Sequence, residues 1–204
     1  AEDAIKVIEN YHITHIITVP TVLDQIINSK SWNEADLSSL RVISVGSTNV
    51  PLPLIKKVAE TGKPIIVSTG LATLKEIKEA VTVIKKAGCK KYIILKCTSR
   101  YPAPSENSNV LTIPNLRKLF KCEVGLSDHT IGIGSSLSAI AHGATIIEKH
   151  FTLDKDLSGA DHKISMLPND FKIMSQKIKR ILNQLGKNEI KPDFDEIRIR
   201  YKSH

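Results

Sequence analysis

The sequence predicts an α/β protein made of repeated strand–helix units, and two observations predict it. Short runs rich in Val and Ile alternate with longer amphipathic stretches, and from residue 64 on the short runs stop at clusters of hydroxyl, Gly, Cys or His residues. The short runs lack strict polar alternation, as expected for strands buried on both faces of a parallel sheet.

In chain order the predicted strands are HIITV (15–19), RVISV (41–45), PIIVS (64–68), YIILK (92–96), EVGLS (123–127) and TIIEK (145–149). A short seventh is predicted near Lys163–Met166. The third strand leads into a helix with a capping box, Thr73-Leu-Lys-Glu76, which satisfies free amides at the helix start. That helix lines up Ile77, Val81 and Ile84 and ends at Gly88. Pro168 opens a later helix with an apolar stripe of Phe171, Met174, Ile178, Ile181 and Leu185. Units of this kind build either a doubly wound sheet or a (β/α)8 barrel. No G-x-G-x-x-G follows any strand; Gly132 and Gly134 come nearest and read as small residues packing a helix.

The strand ends carry the chemistry. They read Ser68-Thr69-Gly70, Cys97-Thr98-Ser99, Ser127-Asp128-His129-Thr130 and His150-Phe151-Thr152. In parallel βα units all these ends share one rim, where barrel enzymes place catalytic residues. Ser and Thr at such junctions also serve simply as helix caps. Two histidines on neighbouring strand ends can hold a divalent metal, with water and substrate oxygens completing its shell. They can equally hydrogen-bond to nearby loops, and spacing alone leaves both readings open. His12, His15 and His142 receive no functional reading.

Composition narrows the setting. The chain has 204 residues, 41% hydrophobic and 25% charged, enough apolar material for one sizeable core. No stretch reaches the roughly 18 uncharged apolar residues of a membrane span, so no membrane partner is expected. The start AEDAIKVIEN lacks the basic-then-apolar order of a secretory signal. Cys89, Cys97 and Cys122 form no CxxC pair, which points to a reducing, cytoplasmic setting. The net charge of +8 sits largely on predicted helix faces. Aromatics make up only 4% and do not interleave with the basic residues, so no nucleic-acid partner is expected.

Five stretches, GKPIIVSTG, LKCTSRYPAP, VGLSDHTIGI, GATIIEKHFTLD and SGADHK, resemble in order and spacing the N-acetylneuraminate (sialic acid) synthase family. That family includes the legionaminate and pseudaminate synthases, and the resemblance spans about residues 51–185. It implies a TIM-type (β/α)8 barrel, here incomplete or rearranged at its N-terminal side. The implied reaction is a transfer that condenses phosphoenolpyruvate with an N-acylated amino sugar such as N-acetylmannosamine, releasing phosphate and giving a nonulosonic acid. A divalent metal, Mn2+ by family habit, polarises the sugar aldehyde and matches His129 and His150, which are thereby also the catalytic candidates. Ser68 and Ser127 match phosphoenolpyruvate-binding serines, as do Ser99 and, more loosely, Ser47. Tyr101 and Asp161 match sugar contacts. The family habit also implies a homodimer.

The chain departs from the family in places. A strand-one glutamate has no counterpart, a phosphoenolpyruvate-binding lysine falls at Ser44, and a C-terminal antifreeze-like domain is missing. Residues 1–48 resemble instead an α-β-α-β stretch of adenylate-forming (acyl-CoA synthetase-like) enzymes. The expected division is therefore 1–48, a synthase-like barrel portion at 49–186 and a polar tail at 187–204, a chimera joined near Gly46–Pro53. The alternative expectation is a catalytically inert chimeric or truncated barrel that still binds metal or phosphate. An adenylate-forming enzyme fragment ranks below both.

Overall fold

A computed structural model of the chain describes residues 1–45 and 50–202. Six strands form one parallel sheet: β1 (His15–Thr18), β2 (Val42–Val45), β3 (Ile65–Ser68), β4 (Tyr92–Cys97), β5 (Glu123–Asp128) and β6 (Ile147–Lys149). Their spatial order is their sequence order, β1-β2-β3-β4-β5-β6. This decides between the two architectures left open above. A doubly wound sheet reverses direction at a switch point. Strands laid down sequentially by right-handed crossovers put every helix on the same side, which is the wall of a barrel. The fold is a parallel half-barrel, an incomplete barrel of the TIM type.

Helix α1 (Glu2–Asn10) precedes β1, and the helices between the strands are α2 (Pro20–Ile27), α3 (Leu52–Glu60), α4 (Leu74–Lys86), α5 (Thr112–Phe120) and α6 (Gly134–Ala141). Two more follow β6, α7 (Pro168–Leu185) and α8 (Phe194–Lys202). The capping box forms as predicted: the Thr73 hydroxyl accepts from the Glu76 amide and the Glu76 carboxylate accepts from the Thr73 amide. Of the predicted stripe on α7, Met174 is buried, and Ile178 and Ile181 pack against the core from a partly buried position. Phe171 and Leu185 at its two ends stay about half exposed.

Two apolar clusters back the sheet. Ile43, Val45, Ile65, Tyr92 and Ile94 meet Leu23 of α2, Leu54, Ile55 and Val58 of α3, and Val81 and Ile84 of α4. Val124 and Leu126 meet Ile113 of α5 and Ala139 and Ile140 of α6, with Ile147 beside them. Side chains alternate across a strand, so Lys96, Asp128 and Lys149 project to this helix-covered face. Cys97, Ser127 and Glu148 project to the opposite, barrel-interior face. Gly125 lies on that inner face where the chains run close: a Cβ there would sit 2.4 Å from the Ile146 carbonyl oxygen and 2.7 Å from Leu95.

One expectation is corrected: the seventh strand near Lys163–Met166 is a single parallel bridge between Phe151 and Met166. The polar tail carries a helix, α8, all of whose described residues are exposed. Ser47 and the Gly46–Asn49 part of the expected join lie outside the described residues.

Candidate active site

The two histidine motifs lie side by side because β5 and β6 pair in parallel, with Ser127 opposite Glu148 and Asp128 opposite Lys149. His129 and His150 are the next residues on each chain. Their ring centroids are 5.3 Å apart. Tyr101 completes a three-ring cluster, 4.2 Å from His129 and 5.5 Å from His150.

His129 is buried and oriented. Its Nδ1 stands 2.8 Å from the Thr98 carbonyl oxygen. A carbonyl only accepts, so Nδ1 carries the proton and Nε2 is left with a free lone pair. The Ser127 hydroxyl is 3.4 Å from that Nε2 but 2.7 Å from a Glu148 carboxylate oxygen, to which it donates. Burial pushes the His129 pKa down and the Thr98 carbonyl partly offsets this, while neighbouring His150 lowers it further. The imidazole therefore stays neutral to lower pH than an ordinary histidine, the form that ligates metals.

His150 is held more loosely, with its side chain 31% exposed. Its Nδ1 is 3.6 Å from an Asp161 carboxylate oxygen, and its carbonyl accepts from the Met166 amide. A carboxylate or carbonyl at Nδ1 fixes which nitrogen faces a ligand, the usual outer support of metal-binding histidines. His129 thus keeps an unprotonated Nε2, while the His150 ring faces the Asp161 carboxylate only at 3.6 Å.

The other predicted residues divide. Ser127, Tyr101 and Asp161 gather around the histidines. Ser99 lies at the β4 end, where its hydroxyl would be 3.1 Å from a Cβ on Gly70 and where it also interacts with Cys97. Ser68 ends β3, two strands from β5. Burial raises the pKa of the Tyr101 phenol and of the Cys97 thiol, so both keep their protons.

Sequence reasoning passed over Glu148, whose carboxylate faces the interior beside Ser127. The alternation Ile147-Glu148-Lys149-His150 placed it on the His150 face and was the available signal. It also passed over the pair behind the site. The Lys149 ammonium is 3.0 Å from an Asp128 carboxylate oxygen, with side chains 3% and 1% exposed. Burial works against charge on Asp128, but the Ser136 hydroxyl and Lys149 hold its pKa below the ordinary carboxylate value. Lys96 is buried nearby, donating to the Thr98 hydroxyl and the Asn107 carbonyl, and desolvation lowers its pKa.

Among the described residues no three His, Cys, Asp or Glu side chains converge to hold a metal. Any ion here would rest on two imidazoles plus oxygens from solvent or ligand. Also among the described residues, no helix is long and apolar enough to cross a membrane.

Fold and rim together define a βα-barrel protein with a polar site at the C-terminal ends of its strands. The chain belongs to the NeuB family, whose family model matches residues 6–190. It is 47% identical over 156 residues to the N,N'-diacetyllegionaminic acid synthase of Campylobacter jejuni, covering 76% of this chain and 46% of that one. It is 42% identical over 140 residues to the pseudaminic acid synthase of Helicobacter pylori, covering 69% and 41%. The crystal structure of N-acetylneuraminic acid (sialic acid) synthetase from Leptospira borgpetersenii, in complex with citrate, superposes with a TM-score of 0.74 at 32% identity. That match covers 84% of this chain and 60% of the other. The chain spans less than half the length of both curated relatives, 46% and 41%.

These matches do not support the resemblance of residues 1–48 to adenylate-forming enzymes, since the family match already begins at residue 6. The sheet likewise continues across that stretch, β2 pairing with β3 in register.

Proposed function

We propose that this chain carries the metal-binding part of a nonulosonic acid synthase site, joining phosphoenolpyruvate to an N-acylated amino sugar with release of phosphate. The observation that carries this reading is the pair of imidazoles 5.3 Å apart, with His129 Nδ1 held by the Thr98 carbonyl and the Asp161 carboxylate beside His150. That arrangement fits a divalent ion. His129 and His150 would hold it through Nε2, leaving positions open for substrate. When bound, the ion supplies Lewis-acid polarisation of the sugar aldehyde.

The chain's own residues do the rest. The hydroxyls of Ser68 and Ser99, with Ser47, donate to the phosphoenolpyruvate oxygens, and Ser127 joins them when its hydroxyl turns from the Glu148 carboxylate to the substrate. Asp161 accepts from sugar hydroxyls, and the neutral phenol of Tyr101 donates to the sugar while covering the His129 ring. Glu148 holds the Ser127 hydroxyl in place and keeps a carboxylate facing the reacting carbons. In the balanced reaction C3 of phosphoenolpyruvate bonds to the aldehyde carbon, water adds at C2, and the tetrahedral species expels phosphate. The related synthases, named for legionaminic, pseudaminic and sialic acid products, support the product class, and no nucleic acid or membrane enters the proposed reaction. The family habit makes Mn2+ the ion to test first and a homodimer the expected assembly, in the cytoplasm.

The test is phosphate release from phosphoenolpyruvate, N-acetylmannosamine and Mn2+, with His129→Ala as control. Release that the variant abolishes is expected. Histidine-dependent Mn2+ binding without release would favour a second reading, a barrel that binds but does not turn over. Ser44, buried in β2, favours it, since the resemblance puts this residue where family members carry a lysine.

A further inference from the structure

The Asp128–Lys149 pair is costly to build. Two charges removed almost entirely from water lose hydration that their mutual attraction often fails to repay, and apolar residues of similar volume commonly serve stability as well or better. Its location is informative. Asp128 precedes His129 and Lys149 precedes His150, and the two are direct cross-strand partners.

The bonds of the pair enclose the His129 peptide. One Asp128 oxygen accepts from the Thr130 amide at 2.9 Å and from the Thr130 hydroxyl at 2.8 Å, closing a turn over residue 129. The other accepts from Ser136 of α6 at 2.6 Å and faces Lys149 at 3.0 Å. Lys149 also donates to the Thr130 carbonyl at 2.7 Å. The ammonium therefore grips the chain on both sides of His129 while its own backbone runs directly into His150. No bond of this network reaches the interior face where substrate would lie.

We propose that Asp128 and Lys149 are positioning residues, a buried clamp that fixes His129 against His150 and thereby sets divalent-ion affinity. The ion part rests on the functional reading above; the geometric part does not. The decisive variant is Asp128→Asn with Lys149→Met. It keeps the turn over residue 129 but removes both charges and the cross-strand tie.

Three measurements test it: the unfolding midpoint, Mn2+ binding by calorimetry, and ion-free nuclear Overhauser contacts among the rings of His129, His150 and Tyr101. The expected result is an unfolding midpoint close to wild type, weakened His129–His150 ring contacts, and Mn2+ affinity reduced about tenfold or more, as for outer supports of metal ligands. A lower midpoint with unchanged ring contacts and affinity would make the pair merely structural and overturn the proposal. If wild type binds no Mn2+ yet the ring contacts weaken in the variant, the ion reading falls and the clamp stands. Should the double variant not fold, Asp128→Asn alone serves. It should weaken the same contacts and lower affinity a few-fold, and ring contacts identical to wild type would overturn the clamp.

Discussion

The first three strands and the last three solve the same packing problem with different materials. Around β1–β3 the buried side chains are almost all aliphatic, from Leu23 and Leu40 to Ile43, Val58 and Ile65. Around β4–β6 the interior also holds Lys96, Ser127, Asp128, His129, Thr130 and Ser136. Apart from Ser44, every buried polar residue among those described lies at Lys96 or beyond. The apolar side is a wall that tolerates imprecision, since dispersion contacts are non-directional. The polar side must satisfy each donor and acceptor, so its geometry is specified bond by bond.

Unpairing one charge should break that polar side most severely. Lys149→Ala leaves Asp128 buried without its cation and should cost about 3–5 kcal/mol in denaturant unfolding. On the apolar side Leu40→Ala, at 1% exposure, should cost about 2–5 kcal/mol through lost burial and a cavity. Mn2+ affinity should survive it in the fraction that remains folded. A tenfold loss of affinity in Leu40→Ala would show that the two regions are not separable.

The two sides should also respond differently to acid. His129 has a lowered pKa in the folded protein, so below the ordinary imidazole range the unfolded chain binds more protons than the folded one. Stability should therefore decline as pH falls through that range, and His129→Gln should flatten the decline in a pH series of melts. Asp128, also lowered, adds a second loss only at pH values below the ordinary carboxylate range. The smallest effect is expected at Thr73→Ala, which removes the α4 cap for about 1 kcal/mol, with ion binding unchanged.

Much of this was legible in the sequence where the signal is local. The six strands follow from Val/Ile-rich runs, α4 from its capping box and α7 from Pro168. The adjacency of His129 and His150 follows from two strand ends on one rim. The remainder depended on register. Nothing in SDHT or EKHF alone says that Asp128 faces Lys149 across the strands, because that pairing is set by how β5 and β6 align. The helix α8 was hidden for another reason: Phe194, Ile197, Ile199 and Tyr201 do not form a single stripe, and it buries none of them. The seventh strand shrank to a bridge because the residues between Leu153 and Lys163 run as turns and bends, which leaves Met166 bonded only locally, to the His150 carbonyl and the Thr152 amide on either side of Phe151.

Gly125 gives this geometry a mechanical handle. A methyl group there would act as a wedge between β5 and the chain entering β6, pressing on the Ile146 carbonyl while touching no imidazole, carboxylate or ammonium. Gly125→Ala would pry the two histidine-bearing chains apart by pure steric force, so the tolerance of the site to displacement could be gauged with all of its chemistry left in place.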